Sequence, residues 1–279
     1  MQVTVASAKG DGAENEDGAF VALPGCVAVL DGLSAPKDLP MGCHHGTPWL
    51  VRQLGTRLVA LGSNHDLPLV DVLRTAIEEV NGLHADTCKL DQDAVPAATV
   101  VMLRERPDAL DYLVLSDSVL VLDTGSSIGA LADSRVEDVA KSEMAAALAG
   151  PAGTPERTAR VSELVARQRE LRNRPGGYWV ASTAPEAADH AITGSLRVGD
   201  LRRAALLTDG ASRLVDVFHE ATWEEVLDLL EQEGPSGLLT RVRTAESSDN
   251  DGTRWPRFKV RDDATAAYAV FGPDEASLC

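Results

Sequence analysis

Aromatic residues are scarce in this chain of 279 residues, at 4% of the composition, although hydrophobic residues make up 44%. We therefore expect a core built mainly from Ala, Val and Leu rather than from stacked rings. No apolar run approaches the roughly 20 residues that span a bilayer. The opening residues, MQVTVASAKG, lack the basic and apolar regions of a signal peptide. We expect neither export nor membrane insertion, and a cytoplasmic location.

Cysteine is also rare, and its positions are scattered. The four cysteines are Cys26, Cys43, Cys88 and Cys279, and no two of them form a C-x-x-C pair. This spacing argues against a zinc site and provides no disulfide framework. Reduced thiols are expected.

Basic residues are fewer than acidic residues. The chain has 26 Lys and Arg and 43 Asp and Glu, which gives a formal net charge of -17. Such a surface repels the phosphates of nucleic acids and anionic membranes, so neither is expected as a partner. The acidic excess has two interpretations, general solubility or an acidic cleft that concentrates cations. We assign most of the charge to solubility and argue the cleft only for particular aspartates.

Short apolar runs alternate with runs of helical periodicity along the chain. Strands are predicted at residues 2–8, 19–23, 26–30, 98–103, 112–116, 119–123, 178–182, about 190–197, 203–208 and 264–271. Helices are predicted at 47–61, 69–85, 211–218, 222–233 and 235–246. The strands at 112–116 and 119–123 are expected to form a tight hairpin around Asp117. An Ala-, Glu- and Arg-rich stretch at about 135–177 predicts a helical insertion or flap within a single domain covering residues 1–279.

Acidic residues recur where predicted strands begin or end. They are Glu16 and Asp17 in NEDG, Asp31 in VAVLDG, Asp117 in VLSDS, Asp209 in ALLTDG, and Asp262 with Asp263 in RDDAT. One such residue is an ordinary turn former, but the recurrence favours a cluster at one sheet edge. Clustered carboxylates without Lys or Arg partners repel one another, so cations would stabilise them. Hard oxygen ligands select Mg²⁺ or Mn²⁺ over Zn²⁺, and two such ions can activate water against a phosphate ester.

The order of these motifs carries a family resemblance. NED, VLDG, the strand AATVVML, SDS, LLTDG and DDAT follow one another from about residue 3 to 271. This series resembles the metal-dependent protein phosphatases, the type 2C serine/threonine phosphatase family. Each motif is weak alone, but the ordered set is fairly specific. The resemblance implies an α+β fold, a four-layer α-β-β-α sandwich of two antiparallel sheets flanked by helices, with two or three metal ions at one end.

The resemblance also implies roles for individual residues. Asp31 looks like the ligand shared by two metals, and the Gly32 carbonyl like a further ligand. Asp209 and Asp262 look like the remaining ligands of the first metal. Glu16 and Asp17 match acidic positions that hold metal-bound waters or support the ligands, so we include Glu16 with Asp31 and Asp209 among the candidate catalytic residues. Asp117, together with Asp209, matches the site of a third metal in bacterial members, which carry a mobile flap where this chain has residues 135–177.

Two departures from the family pattern concern phosphate recognition. Family members usually read D-G-x-G-G after the shared aspartate, whereas this chain has Leu33, Ser34, Ala35 and Pro36 after Asp31-Gly32. Many relatives place a phosphate-clamping arginine four residues before the Glu of NED, where this chain has Gly12. Lys9, the nearest cation, is therefore the candidate ligand for the substrate phosphate, as a point charge rather than a bidentate fork.

The expanded loop after Asp31 also contains His44 and His45. A histidine here could protonate the departing alkoxide, because an imidazole pKa of about 6.5 suits a general acid. We select His45 as the candidate catalytic histidine. The alternative interpretation is a solvent-exposed or helix-capping pair.

The motif order predicts hydrolysis of phosphoserine or phosphothreonine in proteins. A small-molecule phosphomonoester is a second possible substrate, since the missing arginine and the altered loop indicate a changed pocket. A phosphatase-like module that binds phosphorylated partners with little or no turnover is the third interpretation. Gly12 favours this third interpretation, whereas retention of Asp31, Asp209 and Asp262 opposes it.

Overall fold

The apolar runs of the sequence form two five-stranded antiparallel sheets. The computed structural model describes residues 1–23, 25–33, 42–90, 94–150 and 154–271. The strands are β1 Gln2–Ala8, β2 Gly18–Ala22, β3 Cys26–Leu30, β4 Val100–Glu105, β5 Ala109–Leu115, β6 Val119–Asp123, β7 Ile128–Leu131, β8 Ile192–Arg197, β9 Arg203–Leu207 and β10 Ala264–Val270. One sheet has the order β1-β10-β9-β6-β7, and the other has the order β2-β3-β4-β5-β8.

Helices cover the outer faces of both sheets. They are α1 Thr47–Gly62, α2 Leu69–His84, α3 Arg135–Asp138, α4 Lys141–Leu148, α5 Pro155–Leu171, α6 Asp209–Asp216 and α7 Trp223–Ser248. One apolar cluster joins α1 and α2 to the sheet of β3, another joins α6 and α7 to the sheet of β10, and a third lies between the sheets. The predicted four-layer α-β-β-α sandwich is therefore confirmed. None of the described helices has the length and apolar character needed to cross a membrane.

The central strands show why their sequences are apolar throughout. In β3, Cys26, Ala28 and Leu30 face the helices, while Val27 and Val29 face the opposite sheet. Successive side chains of a strand point to opposite faces, and both faces of this strand are covered. The buried residues are mainly Ala, Val and Leu, as the scarcity of aromatic residues predicts.

Two strand predictions are wrong. The segments β5 and β6 do not form a hairpin around Asp117, because β5 pairs with β4 and β8 whereas β6 pairs with β7 and β9. The chain crosses from one sheet to the other there, and Ser116 adopts a positive φ of 70°. Residues 178–182 make two isolated bridges, through Ala181 to Ala98 and through Tyr178 to Arg172, and form no strand, although Tyr178 and Val180 are buried. A buried apolar run does not by itself reveal its pairing partner.

The helix predictions agree with the structure. The stretch predicted as an insertion contains α3, α4 and α5, and its mobility as a flap remains a prediction. The helix α7 begins with a capping box between Thr222 and Glu225. It kinks at Gly234, where φ is 70°, immediately before Pro235. The predictions that involve Cys279 and the loop residues Ser34, Ala35 and Pro36 fall outside the described residues.

Candidate functional site

Antiparallel pairing brings two acidic positions together at one end of the first sheet. Asp17 precedes β2 and Asp31 follows β3, and the register pairs Gly18 with Leu30. The beginning of one strand therefore lies beside the end of the other. Asp17 and Asp31 are therefore brought together by a single β-hairpin.

The second sheet presents its acidic residues at the same end of the sandwich. Asp209 follows β9, and Asp262 precedes β10, which pairs with β9 in antiparallel fashion. The crossing turn that carries Asp117 leads into β6, whose first residue pairs with the last residue of β9. We call Asp17, Asp31, Asp117, Asp209 and Asp262 the aspartate cluster.

The electrostatics of these carboxyl groups show that they share one buried region. Burial, followed by the charges of Asp209, Asp17 and Asp262, raises the pKa of Asp31 well above its ordinary value. Burial is also the main cause that raises the pKa of Asp17 to about 8, although a hydrogen bond from Thr208 opposes the shift. The structure thus places the predicted ligands close enough to repel one another.

Asp117 belongs to the same electrostatic unit. Burial and then the charge of Asp209 raise its pKa to about 7. Its carboxylate accepts a hydrogen bond from the Ser116 hydroxyl at 3.2 Å. The predicted pairing of Asp117 with Asp209 is therefore matched by their proximity, whereas a metal at that position remains a prediction.

Threonine hydroxyls position the aspartates from the strands behind them. The Thr208 hydroxyl donates to Asp17 at 2.8 Å and accepts the Thr265 backbone N–H at 2.9 Å, which links both sheets. The Asp31 backbone N–H donates to the Thr99 hydroxyl at 3.3 Å, and Thr99 lies 2.5 Å from the Ser118 hydroxyl. The strand that contains Thr99 belongs to the ordered series of motifs, whereas no role was predicted for Thr208.

Asp262 differs from the other aspartates because two cations already contact it. Arg213 donates to its carboxylate at 2.9 Å, and Lys259 donates at 2.5 Å. Arg213 also pairs with the fully buried Glu246 at 2.7 Å. Among the clustered carboxylates, Asp262 therefore has the Lys and Arg partners that lower the repulsion.

Lys259 is close to more than one aspartate. Burial lowers the pKa of its ammonium group, but the charges of Asp262, Asp31 and Asp209 outweigh this effect and raise the pKa overall. Sequence reasoning missed both cations. Arg213 could have been found, because it lies four residues after Asp209 on a helix and thus on the same face. Lys259 lies in irregular backbone, where spacing gives no signal.

Glycine is required beside the ligands because the chains approach closely. A Cβ atom on Gly210 would overlap the backbone carbonyl oxygen of Asp263, and one on Gly32 would overlap the Glu16 carbonyl and the Thr47 side chain. Asp263 in turn accepts the backbone N–H groups of Gly10 and Glu16, each at 2.7 Å. The Gly in each Asp-Gly pair therefore sets the spacing between the acidic segments.

Gly210→Ala tests this close approach. We expect it to displace the segment that carries Asp262 and Asp263, and to lower the free energy of unfolding by about 1–3 kcal/mol, as overpacking does. Thermal unfolding would measure the loss, with Gly199→Ala as the matched control because a Cβ atom there meets nothing within 4 Å. Equal stability of the two variants would contradict the tight fit.

Two predicted site residues have contacts that do not establish their proposed roles. The backbone N–H of Glu16 supports Asp263, as above. Lys9 is exposed and its ammonium group donates to the Ala13 carbonyl at 3.4 Å. The roles of Glu16 in catalysis and of Lys9 in phosphate binding therefore remain predictions.

His45 lies in a different group of side chains. Its Nδ1 atom is 3.5 Å from the Cys43 sulfur and 3.4 Å from the Cys88 sulfur, and its ring stacks on Trp49. His84 completes this group. The fold joins two cysteines that are 45 residues apart, a contact that the spacing of the cysteines does not reveal. These contacts do not establish the predicted general-acid role of His45, which remains a prediction.

The chemistry of the aspartate cluster fits divalent cations. Its donors are hard carboxylate oxygens, and burial together with mutual repulsion makes their negative charges unfavourable without added positive charge. Lys259 and Arg213 neutralise one member, so the remaining charge calls for further cations. The fold and the cluster define a class of α-β-β-α sandwich proteins with a carboxylate-rich cluster at one end.

Comparison with known proteins identifies the family within this class. The sequence model described as protein phosphatase 2C matches residues 6–243, and the chain belongs to this family. No curated protein matches the chain. The predicted resemblance is therefore confirmed at the level of the family.

Solved structures show the shared fold. The Mycobacterium tuberculosis serine/threonine phosphatase PstP/Ppp is 16% identical, with a TM-score of 0.59 and coverage of 98% of this chain and 99% of that one. The catalytic domain of PstP in complex with two manganese ions is 16% identical, with a TM-score of 0.55 and coverage of 96% and 97%. Staphylococcus aureus Stp1 is 13% identical, with a TM-score of 0.56 and coverage of 98% and 95%.

Proposed function

We propose that this protein is a cytoplasmic, divalent-metal-dependent phosphatase that hydrolyses phosphoserine and phosphothreonine in proteins. The observation that carries the proposal is the convergence of Asp17, Asp31 and Asp209 from two sheets, with burial and mutual repulsion that cations would relieve. Family membership supports the reaction class, and the manganese complex of PstP supports the type of metal.

The residues fit a site for Mg²⁺ or Mn²⁺. Asp31, the Gly32 carbonyl, Asp209 and Asp262 would hold two ions, with Asp17 and Glu16 in supporting positions, and Asp117 with Asp209 would contribute to a third. When bound, the ions would supply a water with a lowered pKa and positive charge to screen the phosphate.

The protein's own contribution is to hold the acidic residues in register. Thr99 fixes the backbone at Asp31, and Thr208 fixes the Asp17 carboxylate, so neither aspartate depends on a loop for its position. A phosphate monoester is a dianion and would be repelled by uncompensated carboxylates. Cation loading and substrate binding are therefore expected to be coupled.

The first experiment is an assay of p-nitrophenyl phosphate and of a phosphothreonine peptide. We expect turnover of both with added Mn²⁺ or Mg²⁺, loss of turnover in EDTA and recovery on adding back excess Mn²⁺. Phosphate release from the peptide distinguishes a protein phosphatase from an enzyme for small phosphomonoesters. Activity that survives exhaustive chelation would sink the metal-dependent mechanism.

A phosphatase-like binding module is the second candidate. The observation that favours it is the pairing of Asp262 with Arg213 and Lys259, since cations of the protein already occupy one predicted metal ligand. Gly12 at the usual position of the phosphate-clamping arginine points the same way. This candidate predicts that calorimetry detects binding of Mn²⁺ while neither substrate is turned over.

Lys259→Met tests whether the ammonium group competes with metal. Removing a positive charge 2.5 Å from the Asp262 carboxylate should strengthen cation binding. We expect the Mn²⁺ concentration at half-maximal binding to fall by roughly tenfold, which corresponds to about 1.4 kcal/mol. Calorimetry measures the change, and Lys141→Met is the control because the Lys141–Asp138 pair is exposed. Unchanged or weaker Mn²⁺ binding would show that Lys259 supports the site.

A further inference from the structure

Two segments that flank the α1–α2 helical hairpin bring four metal-binding side chains together. Cys43 and His45 lie just before α1, whereas His84 is the last residue of α2 and Cys88 follows four residues later. Because α1 and α2 pack against each other and are joined by a short connection, the beginning of one lies beside the end of the other. We call these four residues the Cys–His cluster.

The geometry of the Cys–His cluster matches one tetrahedral ion. One ligand atom from each residue lies within 4.8 Å of the other three. The Cys43 sulfur is 3.3 Å from the Cys88 sulfur, 3.5 Å from His45 Nδ1 and 3.4 Å from His84 Nδ1. A tetrahedron with zinc–sulfur bonds of about 2.3 Å and zinc–nitrogen bonds of about 2.0 Å has edges of roughly 3.3–3.8 Å.

The surroundings hold these ligands in place. Cys43 and His84 are each 3% exposed, and Trp49 stacks on His45 with ring centroids 4.4 Å apart. The backbone N–H of Lys89 donates to the Gly42 carbonyl at 2.9 Å, which joins the two ligand-bearing segments. The ligand atoms are therefore fixed by a helical hairpin, an aromatic ring and a backbone hydrogen bond.

We propose that Cys43, His45, His84 and Cys88 bind a structural zinc ion, at a site separate from the aspartate cluster. Two thiolates and two imidazoles are soft ligands that select zinc over magnesium and manganese. Four protein ligands complete a tetrahedron and leave no open position for a substrate, which makes the site structural rather than catalytic. Each thiol releases its proton to solvent as the ion binds.

The zinc ion has a definite place in the architecture. It ties the beginning of α1 to the end of α2, and the first residue of α1, Thr47, donates to the Leu33 carbonyl at 3.3 Å. Leu33 follows Asp31-Gly32 directly. The expanded loop begins at the predicted metal ligands Asp31 and Gly32 and ends at Cys43 and His45. The zinc site therefore stabilises the end of this loop, and the residues added relative to the D-G-x-G-G pattern supply two of the zinc ligands.

A disulfide between Cys43 and Cys88 is the competing interpretation. The sulfur atoms are 3.3 Å apart, well beyond the roughly 2.05 Å of a disulfide bond. A disulfide would also leave unexplained why the buried His84 and the stacked His45 both point their Nδ1 atoms at the cysteine sulfurs. His44 is exposed, although its Nδ1 atom lies 3.5 Å from the Cys88 sulfur.

The test begins with the metal content of the full-length protein, purified under reducing conditions without added metal or chelator. We expect about one zinc per chain by plasma mass spectrometry, as for other closed structural sites. The Cys43→Ser/Cys88→Ser double variant and the His45→Ala variant should lose it. Cys26→Ala and His65→Ala are the matched controls, since neither residue belongs to the Cys–His cluster.

A second measurement keeps the test independent of how well the variants fold. Wild-type protein refolded with Co²⁺ should show thiolate-to-cobalt charge transfer and the intense visible bands of a tetrahedral ion. A thiol-specific mercurial should abolish these bands and release zinc from the native protein. Both readouts need only the wild-type chain and no phosphatase substrate.

Three outcomes would overturn the zinc site. They are a zinc-free protein with alkylatable Cys43 and Cys88, a Cys43–Cys88 disulfide found by peptide mapping, and full zinc retention by the double-serine variant. Asp209→Asn should keep its zinc in full. Failure of the phosphatase proposal would therefore leave this site standing, and the reverse also holds.

Discussion

Asp209→Asn should reduce turnover of p-nitrophenyl phosphate by roughly a hundredfold or more, because it removes a charge from a predicted ligand of two metal positions. The carboxylate of Asp209 contributes to the raised pKa of Asp17, Asp31 and Asp117 alike, so it lies at the centre of the aspartate cluster. Steady-state kinetics at saturating Mn²⁺ would measure the loss. Calorimetry would show weakened binding of Mn²⁺ in the same variant.

Asp251→Asn is the matched control for Asp209→Asn. Asp251 also precedes a glycine, but it is exposed and its carboxylate accepts the Thr253 backbone N–H at 3.1 Å. Asparagine can accept the same hydrogen bond, so we expect activity and Mn²⁺ binding to be unchanged. A comparable loss in both variants would mean that Asp209 acts through general charge rather than as a ligand.

Much of the aspartate cluster could be predicted from the sequence because strand periodicity and turn chemistry are local signals. Asp31 directly follows the buried strand β3, Asp209 follows the buried strand β9 after one threonine, and both precede glycine. Antiparallel pairing then places Asp17 near Asp31 and Asp262 near Asp209. The glycine after each of these aspartates is also visible in the sequence, but the reason that glycine is needed there is visible only in the fold. Gly210 is needed because the backbone of Asp263 passes beside it.

Contacts between distant segments could not be predicted in the same way. The prediction of a hairpin at Asp117 is wrong because β5 and β6 are both buried on two faces, so their sequences do not show which sheet each one joins. The contact between two of the cysteines could not be predicted for a related reason. Zinc motifs are recognised by short spacing, whereas Cys43 and Cys88 are brought together by two whole helices.

The ion pairs of Asp262 with Arg213 and Lys259 could not be fully predicted from the sequence either. Three carboxylates contact or approach Lys259, yet nothing in the segment around it has a period from which a shared face could be read. The position of an acidic residue at a strand end can be read from the sequence. A cation that reaches the same end of the sheet from an irregular loop cannot.

The stability of the metal-free protein should fall as the pH rises from about 5.5 to about 8, and Mn²⁺ should remove this fall. The pKa of Asp17 is raised to about 8 and that of Asp117 to about 7, while both ionise near pH 4 in the unfolded chain. Between those values the native state binds more protons than the unfolded state, so the free energy of unfolding decreases with increasing pH. One pKa unit corresponds to about 1.4 kcal/mol, and 1 kcal/mol moves the melting temperature of a chain of this size by about 2–4 °C.

We therefore expect the melting temperature in EDTA to drop by roughly 5–10 °C over that pH range. Asp17→Asn should flatten the dependence, because the amide stays neutral at every pH, and the difference between this variant and wild type isolates the contribution of Asp17 from that of the Cys–His cluster. With saturating Mn²⁺ the native carboxylates are held ionised, so the melting temperature should no longer decline towards pH 8. A wild-type profile in EDTA as flat as that of Asp17→Asn would show that the aspartates are not crowded enough to need cations, and the proposed metal centre would lose its physical basis.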